Sequence, residues 1–155
     1  MGAFEVRISS LPDRVFVEMR KLLLDSGILS QYVSKRSPTF SRLLELDEKG
    51  DRLGTCTPVL AEFYYGLEMS QSRERNVQIL ARSLATLRIW SFESDSAKNC
   101  GQIASHLRRI GRPMQSIDIM MAAVSQSVGN CTIITTDSDL ESVPGISVEK
   151  WTVKQ

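Results

Sequence analysis

The chain has 155 residues, of which 42% are hydrophobic and 24% charged, and its formal net charge is +1. This length suits one globular domain with a substantial core, and the composition excludes a disordered chain. No apolar run approaches the roughly 20 residues that a membrane-spanning helix requires. The small net charge leaves both nucleic acid and protein open as partners, because a neutral protein can still carry a local basic patch.

Three cysteines and a single histidine limit the chemistry further. Cys56, Cys100 and Cys131 are widely spaced and odd in number, so they indicate neither a disulfide framework nor a Cys-x-x-Cys zinc site. We interpret them as small buried residues of a protein in the reducing cytoplasm. His106 is interpreted as a surface or structural residue, because a histidine-dependent hydrolase would have to rest on it alone.

The first half of the chain predicts strands and helices in alternation. In order, the pattern predicts a strand at 20–25, a short helix or turn at 26–32, a helix at 38–48, a strand at 52–56 and a helix from 57. Pro38 suits a first helical turn, and Thr57 is predicted to be the N-cap of the helix that follows. Tyr64 lies at core spacing on that helix, which favours packing over base stacking for its ring.

The second half continues the alternation. It predicts a helix at 72–87, a strand at 87–92, helices at 94–110 and 117–128, and strands at 131–135 and 146–148. Ile110 is predicted on the buried face of the helix at 94–110, and Gly111 is predicted to end that helix. Ser116 is predicted to cap the next one. The strands are nearly continuous apolar runs, which predicts a parallel α/β sheet covered by helices on both faces.

Four acidic residues lie at the mouths of apolar segments. Asp25 and Asp137 follow strands, so both are expected at the carboxyl edge of the sheet, where ligands bind in such folds. Asp118 and Glu62 would reach the same crevice from helices. Several carboxylates beside buried segments need compensation, which a hard divalent cation such as Mg²⁺ or Mn²⁺ supplies.

Each acid also has an ordinary structural interpretation. Asp25 could simply cap the next helix, and Asp118 is favoured in a first helical turn by the helix dipole. Asp137 and Asp139 could be turn residues. Glu62 is harder to dismiss, because its neighbours predict a position close to a buried helix face. The joint placement, rather than any single residue, favours a site.

Four sequence blocks, in order, resemble a known family. They are Lys-Leu-Leu-Leu-Asp-Ser-Gly-Ile-Leu-Ser, Leu-Ala-Glu-Phe-Tyr-Tyr-Gly-Leu-Glu, Ile-Gly-Arg-Pro-Met-Gln-Ser-Ile-Asp-Ile-Met-Met-Ala-Ala and Ile-Ile-Thr-Thr-Asp-Ser-Asp-Leu. With Val-Pro-Gly-Ile-Ser-Val-Glu-Lys-Trp, they resemble PIN-domain ribonucleases of the VapC type, the toxins of type II toxin–antitoxin pairs. The resemblance covers about Met19 to Trp151 and implies a three-layer α/β/α domain with a central parallel sheet.

The resemblance implies a set of site residues. Asp25, Glu62, Asp118 and Asp137 correspond to the catalytic acids that bind one or two Mg²⁺ or Mn²⁺ ions, and Asp139 to a fifth ligand, directly or through water. Two hydroxyls that steady the site correspond to Ser26 and Thr135. Gly27 departs from the family, which often has Asn or Asp there.

Cations are needed to hold an RNA backbone. Arg108, Arg109 and Arg112 cluster just before Asp118, and we expect them to contact phosphates. The alternative is a solvated helix end, where the dipole favours arginine.

The resemblance further implies an RNA substrate, with transfer RNA ranked first, a homodimer, a cognate VapB-type antitoxin, a cytoplasmic location and no membrane association. Two other functions stay open. One is a PIN nuclease with an RNA-processing or DNA-directed role, and the other is a non-catalytic binding module.

The resemblance begins near Met19, and Met19-Arg20-Lys21 immediately precedes the first strong strand. We therefore expect residues 1–18 to be a dispensable extension and residues 19–155 to form the PIN domain.

Overall fold

A computed structural model describes residues 19–153. The predicted extension at 1–18 lies outside the described residues. The strands are β1 (Lys21–Leu24), β2 (Arg52–Cys56), β3 (Arg88–Trp90), β4 (Cys131–Thr135) and β5 (Ser147–Lys150). The helices are α1 (Ser26–Ser34), α2 (Pro38–Glu48), α3 (Thr57–Glu68), α4 (Arg73–Leu84), α5 (Ser94–Arg109) and α6 (Ser116–Val128), with a 3₁₀ turn at Asp139–Ser142.

The five strands form one sheet in the order β3-β2-β1-β4-β5, and every neighbouring pair is parallel. The predicted fold class, an α/β domain with a central parallel sheet, is confirmed. Because β1 lies at the centre, its carboxyl end is flanked by those of β2 and β4. Segments that leave these strands therefore meet at one edge of the sheet.

Burial of the central strands explains their sequences. Leu22, Leu23 and Leu24 are fully buried, as are Ile133 and Ile134 in the neighbouring strand. A strand with helices on both faces has no polar side, which is why these runs are continuously apolar. Among residues 19–153, no helix is both long enough and apolar enough to cross a membrane.

A glycine in β2 makes room for an aromatic ring. A Cβ atom at Gly54 would lie 2.6 Å from the carbonyl oxygen of Arg88 and 2.6 Å from the ring of Trp90. Real Cβ atoms essentially never make contacts that short. Glycine at position 54, which has no side chain, therefore leaves room for the ring of Trp90 at the β3 edge of the sheet. This explains why glycine stands in an otherwise buried strand.

Two predicted caps are wrong. Helix α3 begins at Thr57 itself, with Cys56 as N-cap, and the Thr57 hydroxyl instead accepts a hydrogen bond of 3.0 Å from the Phe92 backbone N–H. Helix α6 begins at Ser116, with Gln115 as N-cap and no side-chain cap. In both cases the hydroxyl residue lies one position inside the helix, where its side chain is free for other contacts.

Four smaller predictions also differ from the structure. Ile110 follows the last residue of α5 and is 48% exposed, because the chain leaves the helix axis there. Tyr64 is 42% exposed, so its predicted packing in the core is wrong. Helix α4 ends at Leu84, and β3 covers only three of the predicted strand residues. Cys56 and Cys131 are buried, as predicted, whereas Cys100 is only half-buried.

Candidate metal centre

Asp25 is both a helix cap and a member of the candidate site. It directly follows β1, and its Oδ1 accepts a hydrogen bond of 2.8 Å from the backbone N–H of Ile28, as the N-cap of α1. Its Oδ2 accepts a 2.5 Å hydrogen bond from the hydroxyl of Thr135, the last residue of β4. The helix cap and the contact with Thr135 therefore coexist, because each uses a different carboxylate oxygen.

The hydroxyl of Thr135 links two of the acids. It donates to Asp25 and accepts a 3.0 Å hydrogen bond from the backbone N–H of Asp137. Oδ1 of Asp137 in turn accepts a 2.9 Å bond from the backbone N–H of Asp139. This chain of hydrogen bonds fixes the turn after β4 against the end of β1, and Thr135 itself is fully buried.

Helices α3 and α6 bring the other two predicted acids. Glu62 is on the second turn of α3 and Asp118 on the first turn of α6, and these helices pack together. One cleft of about 230 Å³ is lined by side chains from all four segments. Its predicted members are Asp25, Ser26, Glu62, Asp118, Thr135 and Asp137.

The electrostatics of Asp118 show how closely the acids approach. Its pKa is raised, first because half-burial disfavours the charged carboxylate, and then because Asp137, Glu62, Asp25 and Asp139 repel it. In the described part of the chain, the four salt bridges all lie elsewhere, and none involves these acids. The cleft therefore concentrates negative charge without a basic side chain to offset it.

The donor chemistry fits a hard divalent cation, since every polar side chain lining the cleft offers an oxygen atom, including the amide carbonyl of Gln115. Within residues 19–153, no three acidic, histidine or cysteine side chains already stand together as a ready ligand set. Like charges repel, which accounts for carboxylates that share a cleft without converging on one point.

Asp139 and the three arginines do not line this cleft. Asp139 begins the 3₁₀ turn and lines a neighbouring cleft, together with Arg112. Arg108 and Arg109 are exposed on the last turn of α5. The predicted arginine cluster is thus divided into two parts by the end of the helix.

Sequence reasoning missed some lining residues. Gln115 and Thr136 line the acidic cleft, although only their positions next to predicted site residues could have indicated this. Gly27 also lines it, and a Cβ atom there would lie 3.6 Å from both Asp25 Oδ1 and Thr136 Oγ1. That is an ordinary contact distance, so the departure from the family at Gly27 leaves space beside Asp25.

With this geometry in place, comparison with known proteins defines the class. The family model for the PIN domain matches residues 22–146, and the chain belongs to that family.

Relatives within the class are VapC proteins. The chain is 27% identical to the tRNA(fMet)-specific endonuclease VapC of Shigella flexneri and 29% identical to ribonuclease VapC2 of Haemophilus influenzae. In each case the match covers 86% of this chain and 99% of the relative.

Solved structures give the same picture. The VapBC structure from Salmonella typhimurium, determined bound to DNA, has a chain that matches with a TM-score of 0.77 and 27% identity, over 86% of this chain and 100% of that one. VapBC2 from Rickettsia felis, bound to a DNA fragment from its promoter, matches with a TM-score of 0.78 and 24% identity, over 85% and 99%. At that identity the second comparison supports the fold alone.

Proposed function

We propose that this protein is a metal-dependent endoribonuclease and the toxin component of a VapBC-type toxin–antitoxin pair. The observation that carries the proposal is that four carboxylates, from four separate segments, line one cleft without a basic partner. Membership of the PIN family and similarity to VapC ribonucleases support the same function.

Mg²⁺ or Mn²⁺ would be held by Asp25, Glu62, Asp118 and Asp137, with Asp139 as a further ligand, directly or through water. When bound, such a cation supplies Lewis acidity, which activates water and offsets the charge on the phosphate. The sequence has one histidine, His106, and it does not line the cleft. Acid–base chemistry based on histidine is therefore not available at this site.

The protein's own contribution is orientation. The Ile28 N–H and the Thr135 hydroxyl fix both oxygens of Asp25, and the same hydroxyl fixes the turn that carries Asp137. Preorganised carboxylates lose little freedom when a substrate binds, which favours catalysis. Direct attack by water that breaks the bond between phosphorus and the 3′ oxygen would leave a 5′-phosphate and, once that oxygen is protonated, a 3′-hydroxyl.

Transfer RNA is the substrate class that we propose. The relative from Shigella flexneri is named for cleavage of tRNA(fMet). The exposed Arg108 and Arg109, together with Arg112, would contact the phosphate backbone, which positions RNA without reading its sequence.

We further propose a VapB-type antitoxin as partner, action in the cytoplasm and assembly as a homodimer. Similarity to a chain of the VapBC complex from Salmonella typhimurium, at 27% identity, supports the antitoxin. An arginine from such a partner would suit the acidic cleft, because a guanidinium pairs with carboxylates through two parallel hydrogen bonds. Inhibition would then result from neutralising the charge that the cation otherwise offsets.

Cleavage of total RNA by the purified protein tests the proposal, with EDTA, Mg²⁺ or Mn²⁺, beside Asp25→Asn and Asp118→Asn. Discrete fragments that require metal and disappear in both variants are expected, and mapping their ends names the substrate. Cleavage that persists in both folded variants would contradict the site assignment. Expression of the protein should arrest growth, and co-expression of a cognate VapB-type antitoxin should relieve the arrest, which separates a toxin from an RNA-processing or DNA-directed nuclease.

A further inference from the structure

A second cleft adjoins the acidic one. It has a volume of about 350 Å³ and is lined by Gly111, Arg112, Pro113, Met114, Asp139 and Ser142. Its walls come from the segment between α5 and α6 and from the 3₁₀ turn after β4. These are the same two segments that lead to Asp118 and follow Asp137, so the two clefts share their supporting chain.

The backbone of Arg112 is fixed by the way α5 ends. The Arg112 N–H donates to the Leu107 carbonyl at 2.9 Å, and the Gly111 N–H donates to the Arg108 carbonyl at 3.2 Å. This pair of bonds is a Schellman motif, and it requires the positive φ of 70° that Gly111 adopts. The motif turns the chain away from the helix axis, so Arg112 is directed apart from Arg108 and Arg109.

The side chain of Arg112 is also held in place. Its Nη1 donates a 3.0 Å hydrogen bond to the hydroxyl of Ser142 on the opposite wall. Within residues 19–153 it takes part in no salt bridge. Since a guanidinium has five N–H donors, most of them remain available for an anion.

Residues that lie next to one another in the chain line the two clefts, and the charges that they carry are opposite in sign. Gln115 and Asp118 line the acidic cleft, Met114 and Arg112 line the second, and all four lie on one short stretch of chain. Asp139 lines the second cleft, and its backbone N–H donates a 2.9 Å hydrogen bond to Oδ1 of Asp137, which lines the first. A polymer that crosses the acidic cleft would therefore meet a guanidinium next, beside the apolar surfaces of Pro113 and Met114.

We propose that this second cleft is a nucleotide subsite, in which Arg112 binds the phosphate next to the scissile one and Met114 contacts the adjoining base. The inference rests on the proposed ribonuclease function and deepens it. It assigns separate roles within the arginine cluster, because Arg112 lines the second cleft, whereas Arg108 and Arg109 are exposed on the last turn of α5. Arg108 and Arg109 would contribute general attraction to the backbone.

The test compares Arg112→Gln with Arg109→Gln, which removes the same charge from the exposed end of α5. Binding of a short single-stranded RNA is measured by fluorescence anisotropy over a range of salt concentrations, in a background carrying Asp118→Asn so that cleavage does not interfere. We expect Arg112→Gln to weaken binding about tenfold and Arg109→Gln much less. Loss of one phosphate contact should lower the slope of log affinity against log salt by about 0.7.

Cleavage kinetics supply the second readout. Arg112→Gln should raise KM more than it lowers kcat, Arg112→Lys should recover part of the loss, and the melting temperatures should stay alike. Equal effects of the two Gln variants on binding, or an unchanged salt slope for Arg112→Gln, would overturn the subsite. RNA binding without any cleavage by the otherwise wild-type protein would contradict the proposed function, while the binding comparison would still decide the subsite.

Discussion

Among residues 19–153, half-buried acidic side chains occur in two regions, and in that part of the chain only one region gives them basic partners. Near the start of β2, Asp51 accepts from Arg20 at 2.8 Å, and at the end of β5 Glu149 lies between Arg20 and Arg42. At the carboxyl edge of the central strands, Asp118 is half-buried among other acids and no salt bridge of the described chain reaches it. The first arrangement is typical of structural acids.

The contrast indicates how to recognise a functional site. Acids that serve stability are placed beside the charges that compensate them, whereas acids that bind a cation are left uncompensated until it arrives. The acids of the cleft repel one another, whereas Asp51 is attracted to Arg20. Matched substitutions at the two regions should therefore have opposite consequences.

The largest expected difference is in catalysis. Asp118→Asn should lower the rate of RNA cleavage at least about a hundredfold, as removal of a group that stabilises developing charge does. Asp51→Asn should leave the rate within about twofold, since it changes a salt bridge outside both clefts. Single-turnover assays on the RNA identified by fragment mapping measure both. Comparable losses in the two variants would break the comparison.

The next effect is stabilisation by cation. At a concentration of Mn²⁺ about 100 times its dissociation constant, binding to the folded state alone should add about 2.7 kcal/mol to the free energy of unfolding. The gain should be absent in Asp118→Asn and retained in Asp51→Asn. Denaturant unfolding with and without Mn²⁺ measures it, and an equal gain in all three proteins would place the cation elsewhere.

A smaller effect appears without metal, and its sign distinguishes the regions. In EDTA at neutral pH, Asp118→Asn should raise the free energy of unfolding by about 1 kcal/mol, because it removes repulsion within the cleft. Asp51→Asn should lower it by about 1 kcal/mol, because it removes the partner of Arg20. Changes of the same sign would show that the acids of the cleft are compensated after all.

The smallest expected effect is a pH dependence. The raised pKa of Asp118 means that the folded protein binds this proton more tightly than the unfolded chain does. In EDTA, the free energy of unfolding should therefore fall as pH rises from the ordinary aspartate pKa through the raised one. Asp118→Asn should remove that component, whereas Asp51→Asn should keep it. Unfolding curves across this pH range measure the difference.

Much of the fold could be predicted from the sequence, because several elements carry strong and consistent local signals. The bounds of α2, β2 and β4 agree with their predicted ranges. Pro38 marks the start of α2, and β-branched residues predominate in β4. Helix caps were harder to predict from the sequence. The Thr57 hydroxyl binds the Phe92 N–H across the fold, and a local pattern contains no information about such a tertiary partner.

The candidate site likewise has residues whose positions could be predicted from the sequence and others whose positions could not. The carboxyl edge of a parallel sheet was enough to place Asp25 and Asp137 together. Glu62 was expected beside a buried helix face, yet it is exposed, because α3 buries mainly Pro58 and Val59 in its first turn. The orientation of a helix depends on its packing partners, which sequence spacing does not specify. The separation of Arg112 from its neighbours depends likewise on the turn at Gly111.

The most direct test of the central claim, that uncompensated acids at the carboxyl edge hold a divalent cation, is calorimetric titration of Mn²⁺ into the metal-free protein. We predict saturable binding to the wild-type protein and to Asp51→Asn, and its loss in folded Asp118→Asn. Equal binding by all three proteins, or no binding by the wild-type protein, would contradict the account.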